Sequence, residues 1–139
     1  MKLLSGEGAG IELRPVAYQF DRAPGDDEWD RNWLVIRGDV TAGGEGGWTF
    51  RDPCLTTWEA RSLGAWLRAG GAGDPLEFVE PCLAFEIIMR SGDQVHLAVR
   101  LSAEAAPRGD REFVVPLDAA GMTQAADEWE TACDAFPER

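Results

Sequence analysis

The chain predicts an α+β fold: a mostly antiparallel β-sheet or sandwich of about six to seven strands with two packed helices. Three observations carry this expectation. Apolar stretches of period two outnumber those of helical period. Two segments switch to helical spacing directly behind a hydroxyl or carboxylate cap. Two apolar runs flank Ser91-Gly92-Asp93 as the arms of a hairpin. At 139 residues, a single domain over 1–139 is expected, long enough to bury roughly two-thirds of the surface its unfolded form exposes. The Gly- and acid-broken start, through about residue 8, reads as loose.

Ile11 to Phe20 reads as the first strand, followed by a polar loop from Asp21 to Asp30. Asn32 to Thr41 alternates, placing Leu34, Ile36 and Val40 on one face and Trp33, Val35 and Arg37 on the other. The Gly43 to Gly47 run turns the chain into Trp48-Thr49-Phe50-Arg51 as a hairpin. After Asp52-Pro53, Thr56 with Glu59 three residues on forms a capping-box pattern, and a helix is expected to about Arg68, stopped by Gly70-Gly71. Leu55, Glu59, Leu63, Trp66 and Leu67 fall along its inward stripe.

Cys82 to Arg90 and Gln94 to Ser102 form the clearest pair. If Arg90 faces Gln94, then Leu83, Phe85, Ile87 and Met89 oppose Leu101, Val99, Leu97 and Val95, and both apolar sets share one face. A further strand from Arg111 to Leu117 aligns Phe113, Val115 and Leu117. Asp118 then caps a last helix with Met122, Ala126, Trp129, Cys133 and Phe136 inward and Asp127, Glu128, Glu130 and Asp134 in water. No internal repeat is visible in the sequence.

Twenty-five carboxylates against thirteen basic side chains and one histidine leave a net charge of −12. Such a field attracts cationic surfaces and repels nucleic acid, so a basic protein is the expected partner and direct DNA or RNA binding is disfavoured. No uncharged apolar run approaches the roughly 18 residues a bilayer span requires, and no export signal is visible, so a soluble cytoplasmic protein is expected. Cys54, Cys82 and Cys133 lack any Cys-x-x-Cys or neighbouring His and read as buried thiols.

Catalytic groups are sparse. His96 is the one imidazole, and the hairpin register sets it opposite Ile88 and diagonal to Glu86 and Arg90, with no nucleophile placed beside it. The Gly43 to Gly47 run has no Lys and no following helix, which argues against a phosphate cradle. Asp21, Asp26, Asp27, Glu28 and Asp30 crowd around Trp29, but their spacing does not fit a calcium loop. As a protein contact the cluster has the right chemistry, because carboxylates steer a basic partner and an exposed indole supplies an anchor. Asp26, Asp27, Glu28, Trp29 and Asp30 are therefore the candidate partner-binding residues. No catalytic residue, metal or cofactor is expected.

Three segments carry a resemblance. Asn32-Trp33-Leu34-Val35-Ile36-Arg37-Gly38, then Trp48-Thr49-Phe50-Arg51-Asp52-Pro53-Cys54-Leu55-Thr56-Thr57-Trp58-Glu59, then Phe78-Val79-Glu80-Pro81-Cys82-Leu83-Ala84-Phe85-Glu86 resemble, in order and spacing, the WapI-like immunity proteins. Cys82 stands where that pattern more usually has Asn. The resemblance runs from residue 11 to about 101. It implies a non-enzymatic cytoplasmic antidote that binds and neutralises the nuclease domain of a contact-delivered bacterial toxin, a basic protein. The alternative, from the residues alone, is a small-molecule-binding domain or small enzyme with a cleft near His96 and Glu86.

Overall fold

The computed structural model describes residues 1–5, 8–21, 27–41, 46–102, 106 and 109–139. Along the chain run β1 (Lys2–Leu4), β2 (Gly10–Tyr18), α1 (Glu28–Asn32), β3 (Trp33–Thr41), β4 (Trp48–Thr56) and α2 (Thr57–Arg68). Beyond α2 come β5 (Leu76–Glu77), β6 (Leu83–Ser91), β7 (Gln94–Leu101), β8 (Arg111–Asp118) and α3 (Ala119–Cys133). The class is α+β, as expected, with two four-stranded antiparallel sheets ordered β1-β2-β3-β4 and β5-β6-β7-β8. Each sheet is a meander of sequential strands ending in a long helix, so the fold repeats a pattern that the sequence does not.

The expected alternation in β3 holds: Leu34, Ile36 and Val40 are buried while Trp33, Val35 and Arg37 are partly exposed. Gly38 continues the inward row because Phe50, its partner on β4, lies across it; a Cβ at Gly38 would fall 2.1 Å from Phe50 Cε1. The first residues of the chain join the first sheet. Lys2–Leu4 pairs with β2, Leu3 is fully buried, and the Met1 amino nitrogen donates to Leu13 O at 2.9 Å. The physical reason is that Met1 and Leu3 complete the hydrophobic core, a gain that the polar residues after them conceal in the sequence. Gly6 and Glu7, like Ala42 to Glu45, lie outside the described residues.

Both cap expectations are met. Thr56 accepts from Glu59 N while Glu59 Oε2 accepts from Thr56 N at 2.7 Å, satisfying two amide groups that the helix itself leaves free. Asp118 Oδ1 accepts from Gly121 N at 2.7 Å. Glu59 is thereby committed to the cap, and to Val79 N at 2.7 Å, rather than to an inward stripe. Leu55 belongs to β4. The buried face of α2 is Thr57, Ala60, Leu63, Gly64, Trp66 and Leu67, and it packs on α3, whose buried face is Met122, Ala125, Ala126 and Trp129. Cys133 and Phe136 are only partly buried.

The β6–β7 pairing has the expected register for Leu83, Phe85 and Ile87, but a bulge at Ile88 shifts the later pairs. Met89 then faces His96, Arg90 faces Val95, and the connection shrinks to a two-residue turn in which Gly92 takes φ +61°. In the unbulged register Met89 would point inward. The extra residue instead turns it out, and Arg90 reaches the carbonyls of Gly70 and Gly71 just beyond α2, at 3.2 and 2.8 Å. A second bulge makes Cys54 the extra residue of β4 and buries its thiol in hydrogen-bonding contact with Cys82. That bond, and next burial, push the Cys54 thiol up from its ordinary value.

Replacing Gly38 by Val should force the Phe50 ring out of its seat and destabilise the fold by about 1–3 kcal/mol. Urea denaturation checks this, with an unchanged midpoint as the contrary result.

Candidate functional site

The expected polar loop before β3 ends in a helical turn. Asp27 Oδ1 accepts from Asp30 N at 2.9 Å and so starts α1, a capping role beyond the partner contact expected of it. Asp27, Glu28, Trp29 and Asp30 are all exposed on this one turn, with Arg31 donating back to Asp27 O at 3.2 Å. The structure therefore brings four of the five candidate residues together. Asp26 lies outside the described residues.

Trp29 neither stands free nor enters the core. It is 52% exposed and packs edge-to-face on Trp58 in the first turn of α2, ring centroids 5.3 Å apart. Such a contact orients the indole while leaving half of it exposed. Trp58 is a neighbour of the candidate residues that sequence reasoning missed, because nothing in the spacing of positions 29 and 58 shows that they meet.

Asn32 holds this corner together. Expected as the first residue of a strand, it closes α1 instead and is completely buried. Its Nδ2 donates to Glu28 O at 2.8 Å and to Arg139 O at 3.1 Å; its Oδ1 accepts from Thr57 Oγ1 at 2.9 Å and from Arg139 N at 3.0 Å. One amide thus joins α1, the start of α2 and the segment 136–139. The same segment is tied down by Tyr18, whose hydroxyl donates to Pro137 O and whose ring lies 3.3 Å below the Arg139 guanidinium. Glu138 accepts from Arg61 Nη1 at 2.7 Å and from Trp58. These bonds, that from Trp58 first, hold the Glu138 carboxyl below its ordinary value.

His96 and Glu86, the residues of the alternative reading, lie on the neighbouring strands β7 and β6 with different partners. The bulge sets His96 opposite Met89 and Pro116 rather than Ile88, and the Glu86 carboxylate is taken by Arg100, which also donates to Glu112 at 3.0 Å. A cleft of about 430 Å³ beside this strand pair is lined by Glu77, Pro81, Ala84, Arg100 and residues of β8, not by His96. Another, of about 230 Å³, lies between α2 and α3 at Ala60, Arg61 and Cys133, whose thiol is pushed up to about 12 by burial. No three His, Cys, Asp or Glu side chains converge as metal ligands among the described residues, and no helix there is long and apolar enough to cross a membrane.

An acidic α+β protein with an oriented surface indole is equipped for contact with another macromolecule. The comparisons with known proteins supply the family: the model of the immunity protein WapI-like family matches residues 2–137, and the chain belongs to that family. The match extends beyond the segments that carried the resemblance, taking in β1 and α3. Immunity families are in general non-enzymatic, and membership implies a cognate toxin as partner. No curated protein matches the chain. Among solved structures, the plant transcriptional regulator PBF-2 is similar at 15% identity and a TM-score of 0.43, over 99% of this chain and 86% of that one.

The depressed Glu138 carboxyl has a consequence for pH. Because its folded value lies below the ordinary 4.5, its hold on Trp58 is fully present above that pH and is lost as pH falls through the lower folded value. The Trp58 indole N–H resonance should accordingly move on acidification below pH 4.5 in the native chain and stay in place in Glu138→Gln, as followed by two-dimensional NMR.

Proposed function

We propose that this protein is the non-enzymatic antidote to a toxin whose active domain is a basic nuclease, which it neutralises in the cytoplasm by stoichiometric binding through an acidic surface. The observation that carries this reading is family membership over residues 2–137, joined to a net charge of −12. A nuclease must attract nucleic-acid phosphates and is therefore basic where it binds them. An array of carboxylates is complementary to that groove and competes with the polyanion for it. The turn bearing Asp27, Glu28, Trp29 and Asp30, with Asp26 before it, is the contact we assign: its carboxylates steer, and the Trp58-backed indole of Trp29 is desolvated on docking.

The direct experiment uses the protein as bait in a lysate of its own organism, at low and high salt. A basic toxin fragment released by salt is the expected product; a folded bait that retains no protein while the toxin is expressed refutes the reading. With the toxin domain in hand, replacing Asp26, Asp27 and Asp30 together by Asn should slow association about tenfold at low salt and flatten its salt dependence. Asn still caps α1, so the melting temperature should change little. Association rates equal to those of the native chain would remove this turn from the interface.

A further inference from the structure

The outer face of the β5–β8 sheet is unusual for a strongly charged protein. Outward positions across its strands form two largely apolar rows: Met89, His96 and Pro116 in one, and Val114 with Ala98, itself covered by its neighbours, in the other, beside Glu86. The bulge adds Ile88 between them. Met89 is 54% exposed, Ile88 46% and Val114 37%, so three of the exposed large apolar side chains gather here. Met89 is exposed because of the bulge, whose extra residue turns it outward, whereas Ile88 faces outward in either register. A sheet face with no layer over it is normally polar, and a contiguous apolar patch is a marker of an interaction site.

The border of the patch is charged with one predominant sign. Among the described residues, Glu77, Glu86, Glu112 and Asp118 lie on the same face against the guanidinium of Arg100, which pairs with Glu86 and Glu112 and closes one end of the apolar rows, and that of Arg111, which lines the cleft there with Asp110. An apolar centre inside a polar rim is the anatomy of a protein interface. The sign of the rim rules against a second copy of this chain, since each copy carries −12, and selects a basic partner.

This surface is separate from the α1 turn. Trp29 packs at the first turn of α2, whereas Arg90, adjoining the patch, binds the carbonyls just past its last turn. The 12 residues of α2 span about 18 Å between them.

We propose that the outer face of the β5–β8 sheet is a second docking surface, which takes an apolar projection from a basic protein. Resting on the function proposed above, we assign that protein as the toxin domain: the α1 turn steers it, and the sheet face holds it. The division of labour is measurable, because steering alters association whereas loss of a desolvated apolar contact alters dissociation.

The test is binding kinetics of the full chain with the inactivated toxin domain recovered by salt elution, alongside methyl NMR of the native complex. Met89→Asp combined with Val114→Asp should speed dissociation by at least about tenfold while leaving association within about twofold. The methyl signals of Ile88, Met89 and Val114 should shift when the native chain binds, a readout that does not depend on how the variant folds. Unmoved methyl signals with unchanged dissociation of a folded variant would overturn the second surface while leaving the toxin reading intact. Failure of the native chain to bind the toxin domain would overturn both.

Discussion

The seam between α2 and α3 is the constraint on which both sheets depend. Trp129 is wholly buried there, and its indole N–H donates to Ala60 O at 2.7 Å, so the largest apolar side chain of the core enters without an unsatisfied polar group. The close approach needs Gly64, where a Cβ would sit 3.0 Å from Glu130 Cγ and 3.5 Å from Trp129 Cδ1. On this seam, α2 reaches β4, while α3 reaches β1, β2 and β8. Each sheet supplies one helix, and neither helix buries its apolar face without the other. The fused core explains why even Met1 and Leu3 are drawn in.

Charge is arranged with similar economy on the outer face of the first sheet. Arg14, Arg37 and Arg51 lie side by side on β2, β3 and β4, an alignment of like charges that would oppose pairing if nothing offset it. Glu12 and Asp39 in the next row provide the offset: Asp39 accepts from Arg37 at 2.8 Å and from Thr49 at 2.7 Å and lies 3.6 Å from Arg14. The bond from Arg37, then that from Thr49, keeps the Asp39 carboxyl below its ordinary value. Pairs this exposed add little to stability. Their effect is to consume many of the few arginines in local pairs, as Arg68 is consumed by Asp127 and Glu130 across the helix seam. The excess of carboxylates is then left to shape the long-range field.

Much of the fold was legible because it is decided within a few residues. Thr56 and Glu59, or Asp118 and Gly121, are neighbours in sequence whose bonds form wherever the helix starts. Likewise the alternation of Leu34, Ile36 and Val40 marks an inward face before any partner strand is known. The candidate site was legible only as composition. Carboxylates around Trp29 marked the segment, yet the turn they form depends on Asp27 as a cap, and the orientation of the indole depends on Trp58. By local pattern the buried Asn32 reads as strand, because its apolar successors alternate. Its amide is consumed by partners as far away as Arg139, and no local pattern records that.

The β6–β7 hairpin separates the two kinds of information most clearly. Alternation alone dictates that Leu83, Phe85 and Ile87 oppose Leu101, Val99 and Leu97, because any slip would put one apolar set in water. Continuing that register through Met89 was equally sound locally. Packing between distant elements placed the bulge at Ile88, where Gly71 lies against Ile87 and Arg90 finds carbonyl acceptors beyond α2. Alternation, caps and net charge are properties of the chain and survive any arrangement of its elements. Bulges, buried amides and the exposed face they create depend on which elements meet, and that is settled only when the two helices close the core between the sheets.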